Sequence, residues 1–92
     1  MGDLQLKWNP EHFAGEIKHI VSRVSRIEVE DLQDHLLIRE ELGIDSLMAM
    51  EIIATCEKHL GIRMDEALFS EVQTVKDFLV LLMEHVRANN AY

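Results

Sequence analysis

Residues 43–47 read Gly43-Ile44-Asp45-Ser46-Leu47 and join a loop to an amphipathic helix that starts at once, which puts a serine hydroxyl at a helix N-terminus. The first amides of a helix lack intrahelical partners and its dipole leaves partial positive charge there, so a phosphate on Ser46 would meet a favourable field. Taken alone, the same serine reads as an N-cap that satisfies those amides. It makes a poor hydrolase nucleophile, because no Gly-x-Ser-x-Gly elbow surrounds it and no His–Asp pair is placed by the sequence. The other reactive side chains offer less. His12 and His19 share one predicted helix face, but two imidazoles without a carboxylate or thiolate at ligand spacing are a weak metal signal. His12, His19, His35, His59 and His85 therefore read as solvated surface, and no metal is expected. Cys56 reads as a small buried apolar residue, since no nearby cation argues for a lowered thiol pKa.

The elements on either side must position that serine. Asn9 is a good N-cap and Pro10 suits the first helical position, where its missing N–H does no harm. Phe13, Ile17, Ile20, Val21 and Val24 then recur at helical spacing. Residues 25–45 carry no sustained period, and Ile27, Val29, Leu32, Leu36, Leu37 and Leu42 read as anchors pinning a long loop over the core. Such loops are uncommon and often functional. The second helix is predicted from Ser46 to His59, with Gly61 stopping it in the left-handed conformation. Its inward stripe is Ala49, Ile52, Ile53, Cys56 and Leu60. A second apolar stripe, Leu47, Met50 and Ala54 with Met48 beside it, exceeds what a bundle helix needs. Flexible methionines suit a surface that meets several partners in turn. A short third helix around 66–70 contributes Leu68 and Phe69. A fourth opens on Thr74 with Asp77 three residues on, an approximate capping box, and turns Val75, Phe78, Leu79, Leu82 and Val86 inward. The pattern predicts an all-α fold, a four-helix bundle with one short helix and a long loop between helices one and two. Residues 1–8 read as a flexible N-terminal segment, 9–88 as the domain and 89–92 as a C-terminal tail.

Composition bounds the function. Ninety-two residues make one domain, too small for a core plus a second lobe, so an enzyme with two substrate pockets is not expected. The net charge of −8, from 17 acidic against 9 basic residues, argues against nucleic-acid binding, which needs Lys and Arg to neutralise phosphates, and implies partners with basic surfaces. One cysteine makes no intramolecular disulfide, and no Cys-x-x-Cys suggests structural zinc, which fits the cytoplasm. No apolar run approaches the roughly 20 residues of a membrane span, and Met1-Gly2-Asp3 opens on an acidic residue rather than a basic n-region. Gln5-Leu6 places no Ser or Thr where a myristoylation signal uses one.

Gly43-Ile44-Asp45-Ser46-Leu47 resembles the Asp-Ser-Leu attachment motif of acyl carrier proteins, in which the serine carries a 4′-phosphopantetheine arm added from coenzyme A. The flanks agree. Leu36-Leu37-Ile38-Arg39-Glu40-Glu41-Leu42 is similar to the family's loop, which ends in an acidic pair and a leucine before the glycine. Met50-Glu51-Ile52-Ile53 matches the glutamate and apolar pair one turn past the serine, and Leu68-Phe69 followed by Thr74-Val75 resembles later landmarks. Three features depart from many relatives: Met48 in place of an acid, Glu57-Lys58-His59 in place of a run of acids, and no proline near Asp65.

The resemblance implies that Ser46 is the phosphopantetheine attachment site and that Asp45, besides capping the helix, helps a phosphopantetheinyl transferase engage it. It implies that Leu47, Met48, Met50, Glu51, Ala54 and Glu57 face partners, because the family docks by this helix. The chain would then be no enzyme but a monomeric carrier, handed between acyl-loading and acyl-using enzymes of fatty-acid, polyketide or specialised lipid biosynthesis. Two other readings stay open. One is an acidic helical interaction domain with Ser46 only a cap. The other is an aminoacyl or peptidyl carrier, although Ile44 before Asp45 favours the acyl type.

Overall fold

The computed structural model describes residues 9–90. Three α-helices, α1 (Pro10–Ser25), α2 (Ser46–Leu60) and α3 (Val75–Asn90), are joined by a 3-10 turn at Val29–Asp31 and a 3-10 helix at Glu66–Glu71. With the 3-10 helix as the short member, this is the predicted all-α four-helix arrangement. Its third helix is 3-10 rather than α, since six residues cannot close many i to i−4 bonds. Among the described residues there is no strand, only an isolated antiparallel bridge between Leu37 and Thr74. Helix α3 runs to Asn90, two residues past the predicted end of the domain. The expectations for 1–8 and 91–92 lie outside the described residues.

The helix ends follow the sequence signals. Asn9 Oδ1 accepts from the amides of Glu11 and His12 at 3.0 and 3.2 Å. At the start of α3, Asp77 N donates to Thr74 Oγ1 and Asp77 Oδ2 accepts from Thr74 N and Gln73 N, each at 3.1 Å, a complete capping box. Gly61 ends α2 at φ 68°, left-handed as glycine allows.

The inward stripes meet in one core, with Phe13, Ile17, Ile20 and Val21 from α1, Ala49, Ile52, Ile53 and Cys56 from α2, and Val75, Phe78, Leu79, Leu82 and Val86 from α3. Each fully buried large apolar side chain contributes about 1.5–3 kcal/mol. Phe69, from the 3-10 helix, meets Phe78 edge to face with ring centroids 5.5 Å apart. The helix ends far from Ser46 are joined by Glu16, whose carboxylate oxygens lie 3.2 Å from His12 Nε2 and 3.6 Å from His59 Nε2. His85, read as solvated, is half-buried, because its ring folds back onto the preceding turn with Nδ1 3.0 Å from Leu81 O.

The long loop is tied down along its length. Leu32, Ile38 and Ile44 are buried, the last two beyond the anchors that spacing suggested. Ile38 N donates to Gln73 O at 2.8 Å, Val75 N to Leu36 O at 3.1 Å and Lys76 N to Asp34 O at 2.9 Å. Lys18 Nζ reaches Asp34 Oδ1 at 3.0 Å and so holds the loop to α1.

Two stability measurements follow. Phe78→Ala and Ile20→Ala should each lower urea-melt stability by about 2–5 kcal/mol through lost burial and cavity formation. The amides of Thr74 and Gln73 hold the Asp77 carboxyl below its usual pKa. A depressed folded pKa means the cap's contribution is present above the unfolded value, about 4, and is lost as pH falls through the folded one. Thermal melts at pH 5 and pH 3 should therefore show a smaller acid-induced drop in Asp77→Asn than in the wild type.

Candidate functional site

Ser46 is the first residue of α2 and is exposed. The N-cap is its neighbour: Asp45 has extended backbone (φ −88°, ψ −178°), and its Oδ1 accepts from Met48 N at 2.9 Å. The capping reading of Ser46 is thereby corrected. Both residue types cap well, and the aspartate, one position earlier, already meets the first-turn amide. The Ser46 hydroxyl makes no hydrogen bond among the described residues, so it is free for chemistry.

The approach to Ser46 is built by a tight reversal. Gly43 N donates to Arg39 O at 3.2 Å and Ile44 N to Ile38 O at 3.1 Å, with Gly43 at φ 69°, a conformation that strains any side chain. Ile44 is buried, so the chain is pinned two residues before the serine. Beside Ser46 lies a groove of about 150 Å³ between α2 and the 3-10 helix, bordered by Arg39, Met50, Glu66, Phe69 and Ser70. A phosphodiester at Ser46 fits here, because the hydroxyl faces solvent, open volume adjoins it, and the amides of Ser46 and Leu47 precede the first intrahelical bond. The core itself holds only about 20 Å³ of apolar cavity, lined by Ile17, Ile38, Ile52, Phe69 and Phe78 among others, so a hydrocarbon chain would enter only by displacing side chains.

The residues expected to face partners divide. Leu47 and Met50 are 76% and 48% exposed, the two exposed large hydrophobic residues among those described, and they follow Ser46 on the first turns of α2. Ala54 and Glu51 are exposed on the same helix. Met48 is instead half-buried against the core. Glu57 is half-buried as well, and its Oε2 accepts from Met64 N at 2.7 Å, fixing the turn after α2. Arg39 enters the sequence only as part of the loop motif, yet it borders the site and reaches the 3-10 helix. Its partners are backbone carbonyls more than 30 positions away in part, and no local spacing announces them.

Cys56 is fully buried, as its place on the inward stripe predicted, and burial, with the charge of Glu57 second, pushes its thiol pKa up to about 12. An alkylating reagent at pH 8 should leave Cys56 unmodified in the native protein and label it in urea, which intact mass would report.

The match to known proteins covers most of the chain. Residues 15–82 fit the family model described as "Phosphopantetheine attachment site". The chain is 31% identical to polyketide-8 synthase acyl carrier protein 2 of Streptomyces avermitilis, over 73% of this chain and 77% of that protein. It is 36% identical to the anthracycline acyl carrier protein DpsG of Streptomyces peucetius, over 66% of this chain and 74% of that protein. It is also 39% identical to a segment of the non-reducing polyketide synthase fsr1 of Gibberella fujikuroi, over 83% of this chain but 3% of that much longer protein.

Proposed function

The chain belongs to the phosphopantetheine attachment-site family as an acyl carrier protein, and from that premise we propose that Ser46 bears the arm and that the chain serves polyketide-type assembly. The observation that carries this reading is the Ser46 hydroxyl, exposed and without a hydrogen bond among the described residues, inside Gly-Ile-Asp-Ser-Leu and on the same first turns of α2 as the exposed Leu47 and Met50. The names of the relatives support the pathway.

A carrier does no bond chemistry of its own. When bound, phosphopantetheine supplies a terminal thiol that holds the acyl group as a thioester. The chain supplies placement. Ser46 Oγ attacks the pantetheine-side phosphorus of coenzyme A's diphosphate and becomes the ester oxygen of a phosphodiester, giving its proton to a base on the transferase, while the broken P–O–P bond releases adenosine 3′,5′-bisphosphate. Asp45 holds the first turn of α2 around Met48 N and offers its remaining carboxylate oxygen to the transferase. Covalent attachment then raises the effective concentration of the acyl group at each docked enzyme.

Partner enzymes meet α2 through mixed contacts. Leu47 and Met50 give apolar area, and Glu51 gives charge to basic surfaces. Exposed charge pairs are worth about 0–1 kcal/mol and are screened by salt, so apolar anchors set affinity while charge sets encounter rate. Glu57, committed to Met64 N, adds charge from a fixed position.

Incubation with coenzyme A and a broad-specificity phosphopantetheinyl transferase should add one arm's mass, mapped to Ser46 and lost in Ser46→Ala; an adduct that survives that substitution would sink the reading. Because Asp45 is the cap, Asp45→Ala should cost about 0.5–2 kcal/mol and Ser46→Ala less. Met50→Glu should slow arm transfer with the circular dichroism unchanged, whereas Glu51→Gln should have a smaller effect that fades as salt rises. For the pathway, the intact mass of the protein from its native host should show an oxygenated polyketide-type acyl group; a saturated fatty acyl group would exclude it.

A further inference from the structure

Among the described residues, Arg39 is the one cation bordering the groove at Ser46. Its side chain is held in place. Nη1 donates to Val72 O and Nη2 to Phe69 O, both at 2.9 Å, and the guanidinium carbon lies 5.1 Å from the centroid of the Phe69 ring. A guanidinium has five N–H donors, so these two bonds leave three donors uncommitted, and no carboxylate neutralises the positive charge. The chain has 17 acidic residues, yet Arg39 forms no ion pair among the described residues. Of the two acids that follow it, Glu41 is turned to the backbone, accepting from Leu37 N at 2.8 Å, and Glu40 makes no ion pair with it. Glu66 borders the same groove without reaching ion-pair distance.

We infer that Arg39 is a positioning residue for the phosphodiester formed at Ser46, supplying the counter-charge that draws the anion and the adjoining part of the arm into the groove between α2 and the 3-10 helix. This rests on the reading of Ser46 as the attachment site. A charged guanidinium already fixed by two carbonyls and a ring face loses little further rotamer freedom when it meets an anion, and its planar fork matches phosphate oxygens. The contact is solvent-accessible, so its effect is modest and salt-sensitive. It orients the arm without holding it against a docking enzyme.

The full chain is labelled with 15N-arginine and compared before and after arm transfer, with mass confirming the conversion. On modification the Arg39 Nε–H resonance should shift while those of Arg23, Arg26, Arg63 and Arg87 stay put. The 31P resonance of the modified protein should move in Arg39→Gln and return toward the wild-type position in Arg39→Lys, and raised salt should shrink the difference. A merely structural role, stapling the loop to the 3-10 helix, would not produce charge-dependent rescue by lysine. If Arg39→Gln does not fold, the wild-type arginine spectra decide by themselves. Conversion with no movement of the Arg39 resonance overturns the inference and leaves the attachment site intact; failure of conversion removes the attachment reading itself, and this inference with it.

Discussion

Three backbone hydrogen bonds, linking Asp34, Leu36 and Ile38 to residues 73, 75 and 76, hold the rest of the molecule in register. Ordering about twenty loop residues costs conformational entropy at every position, and irregular backbone has no internal ladder to offset it. The loop instead borrows the Gln73 carbonyl just before α3 and the first-turn amides of Val75 and Lys76, and adds three aliphatic plugs, Leu32, Ile38 and Ile44. With Ile44 fixed in the core and Gly43 turning the chain, Asp45 and Ser46 have nowhere to stand but at the tip of α2. The serine's position is thus a consequence of loop pairing more than of the helix it begins.

Helix α2 divides its labour by face. Ala49, Ile52, Ile53 and Cys56 give it to the core, and Leu47, Met50 and Ala54 are left to solvent although apolar. Burial of the first set holds the helix to the core, and the second set stays exposed as the surface proposed for partners. At the far end, Glu57 turns from partner-facing charge to internal brace, accepting the Met64 amide and closing the turn at Gly61. The charged complement to the apolar stripe is therefore weighted toward the serine end, at Glu51.

Periodic information survived translation into structure, and aperiodic information did not. The stripes of α1 and α3, the Asn9 cap, the Thr74–Asp77 box and the Gly61 stop were all legible, because each rests on neighbours within one or two turns. Ile38 and Ile44 do not stand out as loop anchors, because burial from irregular backbone has no repeat to read. Asp45 and Ser46 are both competent caps, and only the backbone conformation at Asp45 decides between them. The Glu16 contacts to His12 and His59 were hidden for a related reason: one partner is a turn away, but the other arrives from a different helix. The attachment motif was readable as a motif, whereas the groove beside it, made by Phe69 and Ser70 from a distant 3-10 helix, required the fold.

The sealed thiol of Cys56 has a consequence for fidelity. A protein whose task is to hold an activated acyl group on a swinging sulfur is endangered by any second sulfur nucleophile nearby, since exchange between the two would strand the cargo where no enzyme could collect it. Only the thiolate attacks, and burial that lifts the pKa to about 12 leaves little of it at neutral pH, on a side chain sealed from solvent in the core. The same packing that fills the inner face of α2 therefore keeps the chain from becoming a dead-end acceptor for what it carries.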